Sequence, residues 1–110
     1  MPDGRAVYFG GVRPPYGPMA QRAAAGFVLP LPEGLDEVTA AAIVNLGVGA
    51  WLALTRRAAL QPGETVLVLG ATGVSGRIAV ALAERLGAGR VIAAGRNQAV
   101  LDQLPAAATV

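Results

Sequence analysis

Three regularly spaced glycines, Gly70, Gly73 and Gly76, are the residues of this sequence whose type and position best suit chemistry. A turn out of a strand needs a residue that tolerates unusual φ angles, and a pyrophosphate needs backbone approach without a Cβ in the way. A third glycine lets a helix pack close to a sheet. A helix that starts near Val74 would point its free N–H groups and its positive dipole end at the phosphates. The spacing therefore predicts a phosphate-binding loop.

Two hydroxyl groups also lie in this loop, on Thr72 and Ser75, and they are candidate phosphate ligands. Capping or backbone-turn hydrogen bonds are an equally good interpretation of them, and a glycine turn that binds nothing is the alternative for the whole loop. Two catalytic motifs do not fit. A Walker A loop requires a lysine, which the chain lacks, and a nucleophile elbow requires a glycine where Arg77 stands. A Ser-His-Asp triad is excluded because the chain has no histidine.

The elements around the loop are those that a dinucleotide fingerprint demands. Glu64–Leu69 is a nearly continuous apolar run, typical of a strand buried on both faces of a parallel sheet. From Ser75 to Leu86 the apolar residues recur at helical spacing, which predicts an amphipathic helix that ends at Gly87-Ala88-Gly89. A second short strand, Arg90–Ala94, follows. This order predicts a right-handed βαβ unit with parallel strands, the first part of an α/β Rossmann fold.

The turn after the second strand, Gly95-Arg96-Asn97, predicts which dinucleotide is bound. About twenty residues after the last glycine, this fold places a carboxylate that accepts from the ribose 2′-hydroxyl of NAD. Gly95 and Arg96 take that place here, so a permanent cation would attract a 2′-phosphate and no carboxylate would repel it. We therefore predict NADP(H) as the cofactor. A solvated arginine is the alternative for Arg96, and Asn97 suits a helix N-cap better than an amide donor to the cofactor.

The N-terminal part of the chain has a different character. Residues 1–32 are rich in glycine and proline, and the short apolar runs Ala6–Phe9 and Gly26–Leu29 predict strands joined by irregular turns. Asp36 then predicts the N-cap of a helix that extends to Leu60, with a potential interruption at Asn45–Gly49.

Within that helix, the uncharged stretch Val38–Thr55 and the following Arg56-Arg57 superficially resemble a membrane span with a positive flank. Asn45, several glycines and many alanines make the stretch only mildly apolar, so a helix of an α/β core is the better interpretation. The N-terminus also lacks the apolar stretch of a secretory signal. We therefore expect a cytoplasmic protein with no membrane association.

Composition excludes several classes of protein. A chain of 110 residues with 54% hydrophobic content has enough apolar material for one core and too much for disorder. The absence of cysteine and histidine rules out a disulfide framework and leaves only carboxylates as metal ligands, so we expect no metal site. The net charge is only +2 and the arginines are not clustered, which argues against nucleic-acid binding.

Several segments together match a known pattern. They are Pro30–Leu35, Thr39–Ala42, Asn45–Leu54, Leu60–Val68 and the glycine loop. With them the chain resembles, from Tyr8 onward, the zinc-independent, quinone-oxidoreductase-like members of the medium-chain dehydrogenase/reductase superfamily. One departure is Gly49, because family members commonly carry a threonine near the cofactor at that place.

The resemblance implies an NADP(H)-dependent two-electron reduction of a quinone, an enone or a similar carbonyl compound, with hydride passing from C4 of the nicotinamide. It implies that residues 1–32 are the end of a GroES-like substrate domain. Residues 33–110 would then be a connecting helix and the first, βαβα half of a Rossmann NADP(H)-binding domain. Family members are several times longer, so we expect this chain to be a fragment that is inactive alone, and its sequence identifies no catalytic residue.

Alternatives from other classes remain open. The same fingerprint would serve a catalytically inactive NADP(H)-binding remnant or a sensor. A short-chain or extended reductase is a weaker alternative, since those proteins carry the motif near their N-terminus. Finally, a Rossmann sheet that ends near its third strand leaves the far edge of the first strand unpaired. We therefore expect self-association, or a partner that supplies the missing half.

Overall fold

A computed structural model describes residues 4–110 and divides the chain into two units, Met1–Ala42 and Ile43–Val110. The boundary falls within a helix. The assignment of residues 1–32 and 33–110 to pieces of two domains stays a prediction.

The first unit contains two short antiparallel strands, β1 (Val7–Gly10) and β2 (Phe27–Pro30). Each lies within one residue of the strand that the apolar runs predicted. The rings of Tyr8 and Phe27 are tilted against each other, with centroids 6.2 Å apart. The same Phe27 ring covers Gly10, where a Cβ would come within 2.6 Å of Phe27 Cζ. These contacts hold the end of β1 at Gly10 against the start of β2 at Phe27.

Helix α1 spans Glu37–Leu52, and its start is the predicted one. The backbone N–H of Thr39 donates to Asp36 Oδ1 at 2.9 Å, which is an N-cap hydrogen bond. Hydrogen bonds from Thr39 lower the pKa of the exposed Asp36 carboxyl below its ordinary value of 3.8. The carboxylate accepts these bonds more strongly than the protonated carboxyl group does, so the cap is strongest when Asp36 is ionised.

The prediction of a potential interruption of this helix at Asn45–Gly49 is wrong. The helix runs through both glycines, and the irregularity comes later, in a π-helical segment at Ala53–Arg57. Glycine lowers helix stability by only about 1 kcal/mol per residue, which good helix formers on either side can offset. The segment ends at Arg57, and Ala59, two residues later, has a positive φ of 50°.

The helical stretch Glu37–Arg57 is 21 residues long and, by length and composition alone, apolar enough to cross a membrane. Core helices of soluble proteins that pass the same test are mostly buried, whereas only 6% of the apolar window in this helix is buried. The prediction of a helix covered by an α/β core is therefore wrong for the described residues, and a single helix of this kind is weak evidence for a membrane span.

The second unit is built on a three-stranded parallel sheet in the order β3-β4-β5, formed by Thr65–Leu69, Arg90–Ala94 and Ala108–Thr109. Helix α2 (Val74–Arg85) connects β3 to β4 and packs on both strands. Helix α3 (Gln98–Leu101) lies between β4 and β5. This arrangement confirms the predicted α/β class and the parallel strands, and it leaves β3 at one edge of the sheet.

The core of this unit lies on one face of the sheet. Val80 and Ala83 of α2 pack there against the buried side chains of Val68, Val91 and Ala93.

The opposite face of the sheet is exposed, so the prediction that β3 is buried on both sides is wrong. Leu67 is 55% exposed and Leu69 is 76% exposed. Alternate residues of a strand point to opposite faces, and α2 covers only the face of Val66 and Val68. The apolar run therefore predicted the strand correctly, but it did not predict that one face of the strand is exposed.

Candidate functional site

The glycine loop begins with a tight turn directly after β3. Gly70 has a φ of +71°, a conformation that residues with a Cβ rarely adopt. Its carbonyl accepts from the N–H of Gly73 at 3.1 Å, which closes the turn. The next amide, of Ala71, donates to the carbonyl of Ala94 at the end of β4 over 2.9 Å. The loop is therefore fixed to the end of the neighbouring strand.

Gly76 serves helix packing. A Cβ built at this position would collide with the Gly70 carbonyl and would lie 2.7 Å from Ala71 Cα. Both neighbours are backbone atoms that cannot move without opening the turn. Only glycine lets the first turn of α2 lie this close to the loop, which is the role predicted for the third glycine.

Gly73 differs from the other two glycines, because nothing in the described chain requires it. Its φ of −79° and ψ of 166° are open to any residue. A Cβ at this position would come no closer than 3.5 Å to the Gly70 carbonyl oxygen, an ordinary contact. The missing Cβ therefore leaves room for a molecule that approaches the loop from outside.

Three backbone amides lie at the start of α2, directly after Gly73. Gly73 is the N-cap, and the first hydrogen bond of the helix runs from the N–H of Arg77 to the Gly73 carbonyl at 2.9 Å. The amides of Val74, Ser75 and Gly76 meet no acceptor in the part of the chain that the structure describes. Unpaired amides at a helix N-terminus, together with the helix dipole, suit an anion such as phosphate.

The two loop hydroxyls have different surroundings. Ser75 is exposed beside the free amides, whereas Thr72 is half-buried. Within residues 4–110, neither hydroxyl makes the capping or turn hydrogen bond that was the alternative to phosphate binding. Ser75 thus keeps its hydroxyl free at the loop, while the side chain of Thr72 packs at Gly95.

The turn after β4 lies against the glycine loop. A Cβ built on Gly95 would be 2.7 Å from Thr72 Cγ2 and 3.5 Å from Leu101 Cδ2. The Gly95 N–H donates to the carbonyl of Val110 at 2.8 Å. Arg96 follows as an exposed side chain. The structure therefore brings together the two segments that the sequence singled out for one dinucleotide.

Asn97 has the role that its residue type favoured. Its side chain accepts from the N–H of Val100 at 3.3 Å and caps α3.

Two residues of this region were not predicted. Leu101, only 1% exposed, lies beside Gly95, and Val110 supplies the carbonyl that holds the Gly95 amide. Apolar spacing after Asn97 could have indicated Leu101, but no sequence pattern indicates a backbone carbonyl.

The arrangement suits the adenosine half of a dinucleotide. Three free amides can donate to a pyrophosphate at Gly73, and Arg96 provides a cation at the end of β4, where the ribose lies in this fold. Among residues 4–110 there is no group of three or more His, Cys, Asp or Glu side chains placed to hold a metal ion.

No protein-family model matches the chain. The similar proteins and solved structures are nonetheless of related kinds. The probable NADPH-dependent quinone reductase tdiC of Emericella nidulans is 46% identical over 67 residues, which are 60% of this chain and 19% of that protein. The quinone oxidoreductase of Thermus thermophilus, whose crystal structures include an NADPH complex, superposes with a TM-score of 0.77 at 39% identity. That match covers 97% of this chain and 36% of the Thermus protein.

The nucleotide-binding subdomain of the PpsC enoylreductase domain from Mycobacterium tuberculosis matches 60% of this chain and 40% of its own length, at 33% identity and a TM-score of 0.52. The chain thus spans less than half of each of these three proteins. Over the part that it spans, the chain matches NADPH-dependent quinone reductases and enoyl reductases of the medium-chain dehydrogenase/reductase superfamily, which confirms the predicted resemblance.

Proposed function

We propose that this chain binds the adenosine and pyrophosphate end of NADP(H), as the cofactor-binding segment of an NADP(H)-dependent oxidoreductase. The observation that carries the proposal is the contact between the glycine loop and the turn at Gly95. This contact brings free amides and an arginine together at the carboxyl ends of β3 and β4. The amides of Val74, Ser75 and Gly76 would donate to the pyrophosphate. The hydroxyls of Thr72 and Ser75 are secondary candidates for the same phosphates.

Arg96 would select the phosphorylated cofactor. A guanidinium donates in a planar fork that matches phosphate oxygens, and it stays charged at every physiological pH. The Gly95 position beside it carries no carboxylate, so nothing there would repel the 2′-phosphate. Asn97 is engaged as the cap of α3 and would contribute to the site by holding the backbone after Arg96.

The reaction of the whole protein is proposed from its relatives. When bound, the reduced cofactor supplies a hydride from C4 of its nicotinamide, and a proton from solvent or the protein completes the two-electron reduction of the acceptor. A small quinone, enone or other carbonyl compound is the proposed acceptor, in keeping with the quinone reductases and the enoyl reductase that the chain resembles. An NADPH-dependent quinone reduction assay distinguishes this function from a non-catalytic NADP(H)-binding protein.

Binding itself is tested by calorimetric titration of the protein with NADPH and with NADH. We expect Arg96→Ala to weaken NADPH binding by roughly 1–3 kcal/mol, or about 5- to 150-fold, because one charge-assisted contact is lost. NADH binding should not change. Arg90→Ala is the matched control, since Arg90 is an exposed arginine at the other end of β4. An equal loss for both nucleotides would remove Arg96 from the proposal, and a wild-type protein that binds neither would overturn it.

We further propose that the unpaired edge of β3, together with the exposed apolar face beside it, associates with another protein surface. That surface belongs either to a second copy or to a partner that continues the sheet. β3 pairs only with β4 within the described residues, and its Leu67 and Leu69 side chains are exposed. An apolar strand edge of this kind is a template for association. A cytoplasmic location without membrane contact is proposed with it, on the likeness of the chain to quinone reductases.

A further inference from the structure

Gly95 is held from three directions at the point where β4 ends. Its N–H donates to the Val110 carbonyl at 2.8 Å, and the side chains of Thr72 and Leu101 lie where a Cβ at this position would stand. The preceding residue, Ala94, is held through its carbonyl by the Ala71 amide at 2.9 Å. The backbone that leads into Arg96 is therefore fixed mostly by contacts with the glycine loop and with the segment that follows β5.

The contact with Thr72 is made by its methyl group. Thr72 Cγ2 would lie 2.7 Å from a Cβ on Gly95, whereas its Oγ1 would lie 3.3 Å away. The hydroxyl makes no hydrogen bond among residues 4–110, so the methyl contact is the interaction that the structure shows for this side chain. A half-buried β-branched residue has few rotamers, which makes it a rigid support.

We infer that Thr72 is a positioning residue for cofactor selection: its methyl group packs on Gly95 and thereby sets where Arg96 meets the 2′-phosphate. The inference rests on the proposed function and changes the role of Thr72 within it, from a phosphate ligand to a support for the arginine. It also explains the glycine at position 95, because any Cβ there would displace the Thr72 methyl group. The glycine loop thus holds the pyrophosphate with its amides and adjusts the 2′-phosphate contact with one side chain.

Two substitutions separate the methyl group from the hydroxyl. Thr72→Val keeps the branched shape and removes the hydroxyl, while Thr72→Ser keeps the hydroxyl and removes the methyl. The affinities for NADPH and NADH are measured by calorimetry, and their ratio is the readout, because a general loss of stability lowers both affinities together. We expect Thr72→Val to keep the wild-type ratio and Thr72→Ser to lower it about tenfold, near the smaller loss expected for Arg96→Ala.

Gly95→Ala completes a double-mutant cycle. Alone, its Cβ should displace the turn and lower the same ratio. In a Thr72→Ser background the space left by Cγ2 can accept that Cβ, so the double variant should recover part of the selectivity, as coupled neighbours do. Circular dichroism of each variant confirms that it is folded.

The outcomes are distinct. A reduced ratio in Thr72→Val with none in Thr72→Ser would assign the effect to the hydroxyl and overturn the inference, as would additive losses in the double variant. If the wild-type protein binds NADPH tightly and both Thr72 variants match it, only the inference fails. If the wild-type protein binds neither nucleotide, the proposed function fails and the inference fails with it.

Discussion

The three loop glycines should separate into two kinds when each is replaced by alanine. Gly73→Ala should abolish tight cofactor binding in a protein that still folds, whereas Gly76→Ala should destabilise the fold itself. The distinction follows from their surroundings: a Cβ on Gly73 has room, and a Cβ on Gly76 collides with the backbone of Gly70 and Ala71.

The expected stability of Gly73→Ala comes from two opposing terms. Replacing glycine by alanine at a compatible φ stabilises by about 0.4–1 kcal/mol, because the unfolded chain loses freedom. Alanine is a poorer N-cap than glycine, and this costs a comparable amount. The net change should stay within about 1 kcal/mol, which corresponds to a shift in Tm of less than about 8 °C for a domain of this size.

The expected loss of binding is larger. The new Cβ would stand where the pyrophosphate approaches the amides of Val74 and Ser75. A hydrogen bond to a charged group contributes about 1.5–3 kcal/mol, so losing even one should weaken NADPH binding by about 10- to 150-fold. For Gly76→Ala the same Cβ forces backbone apart, and overpacking of this kind typically costs about 1–3 kcal/mol of folding free energy.

Thermal melts followed by circular dichroism, and calorimetric titration with NADPH, measure the two effects separately. Gly47→Ala is the matched control: it lies in α1, its Cβ would meet only Ile78 Cγ2 at 3.9 Å, and it should raise stability slightly without changing affinity. A Gly73→Ala variant that binds NADPH as tightly as the wild-type protein, or a Gly76→Ala variant as stable as Gly73→Ala, would refute the distinction between these glycines.

Two further predictions concern folding and association. Because hydrogen bonds from Thr39 lower the pKa of Asp36 in the folded protein, its carboxylate should stabilise the fold above its ordinary pKa of 3.8, and this contribution should disappear as the pH falls through the lowered value. Asp36→Asn keeps an N-cap without titrating, so its Tm should fall less in acid than the wild-type Tm; parallel losses would contradict the assignment. Leu69→Thr, on the exposed face of β3, should reduce the mass measured by light scattering, and a wild-type protein that is already monomeric would argue against association through this face.

The sequence predicted well those elements whose signals are local. Arg90–Ala94 was located to the residue from a short apolar run between glycines, and the N-caps at Asp36 and Asn97 followed from side chains that bond their own backbone. The sequence predicted that each loop glycine fills one of three needs, and the positive φ of Gly70 and the close backbone contact of Gly76 correspond to two of these needs.

What could not be predicted depends on contacts between distant residues. The exposure of Leu67 and Leu69 reflects which elements cover the sheet, and an apolar run looks the same whether one face or two are covered. Thr72 and Gly95 meet only because β3 and β4 pair in one register, so neither residue alone signals the contact. The uninterrupted helix at Gly47 and Gly49 likewise depends on its neighbours, because a modest propensity penalty does not decide the outcome.

The length of the glycine loop carries information of its own. Only residues 70–73 separate the last residue of β3 from the first residue of α2. One inserted or deleted residue there would rotate the helix by about 100° about its axis, since an α-helix has about 3.6 residues per turn. Val80 and Ala83 would then turn away from the sheet that they cover. The length of the loop therefore sets the rotation of α2 relative to β3, and the residue count proposed to admit a phosphate also keeps the core side chains of α2 facing the sheet.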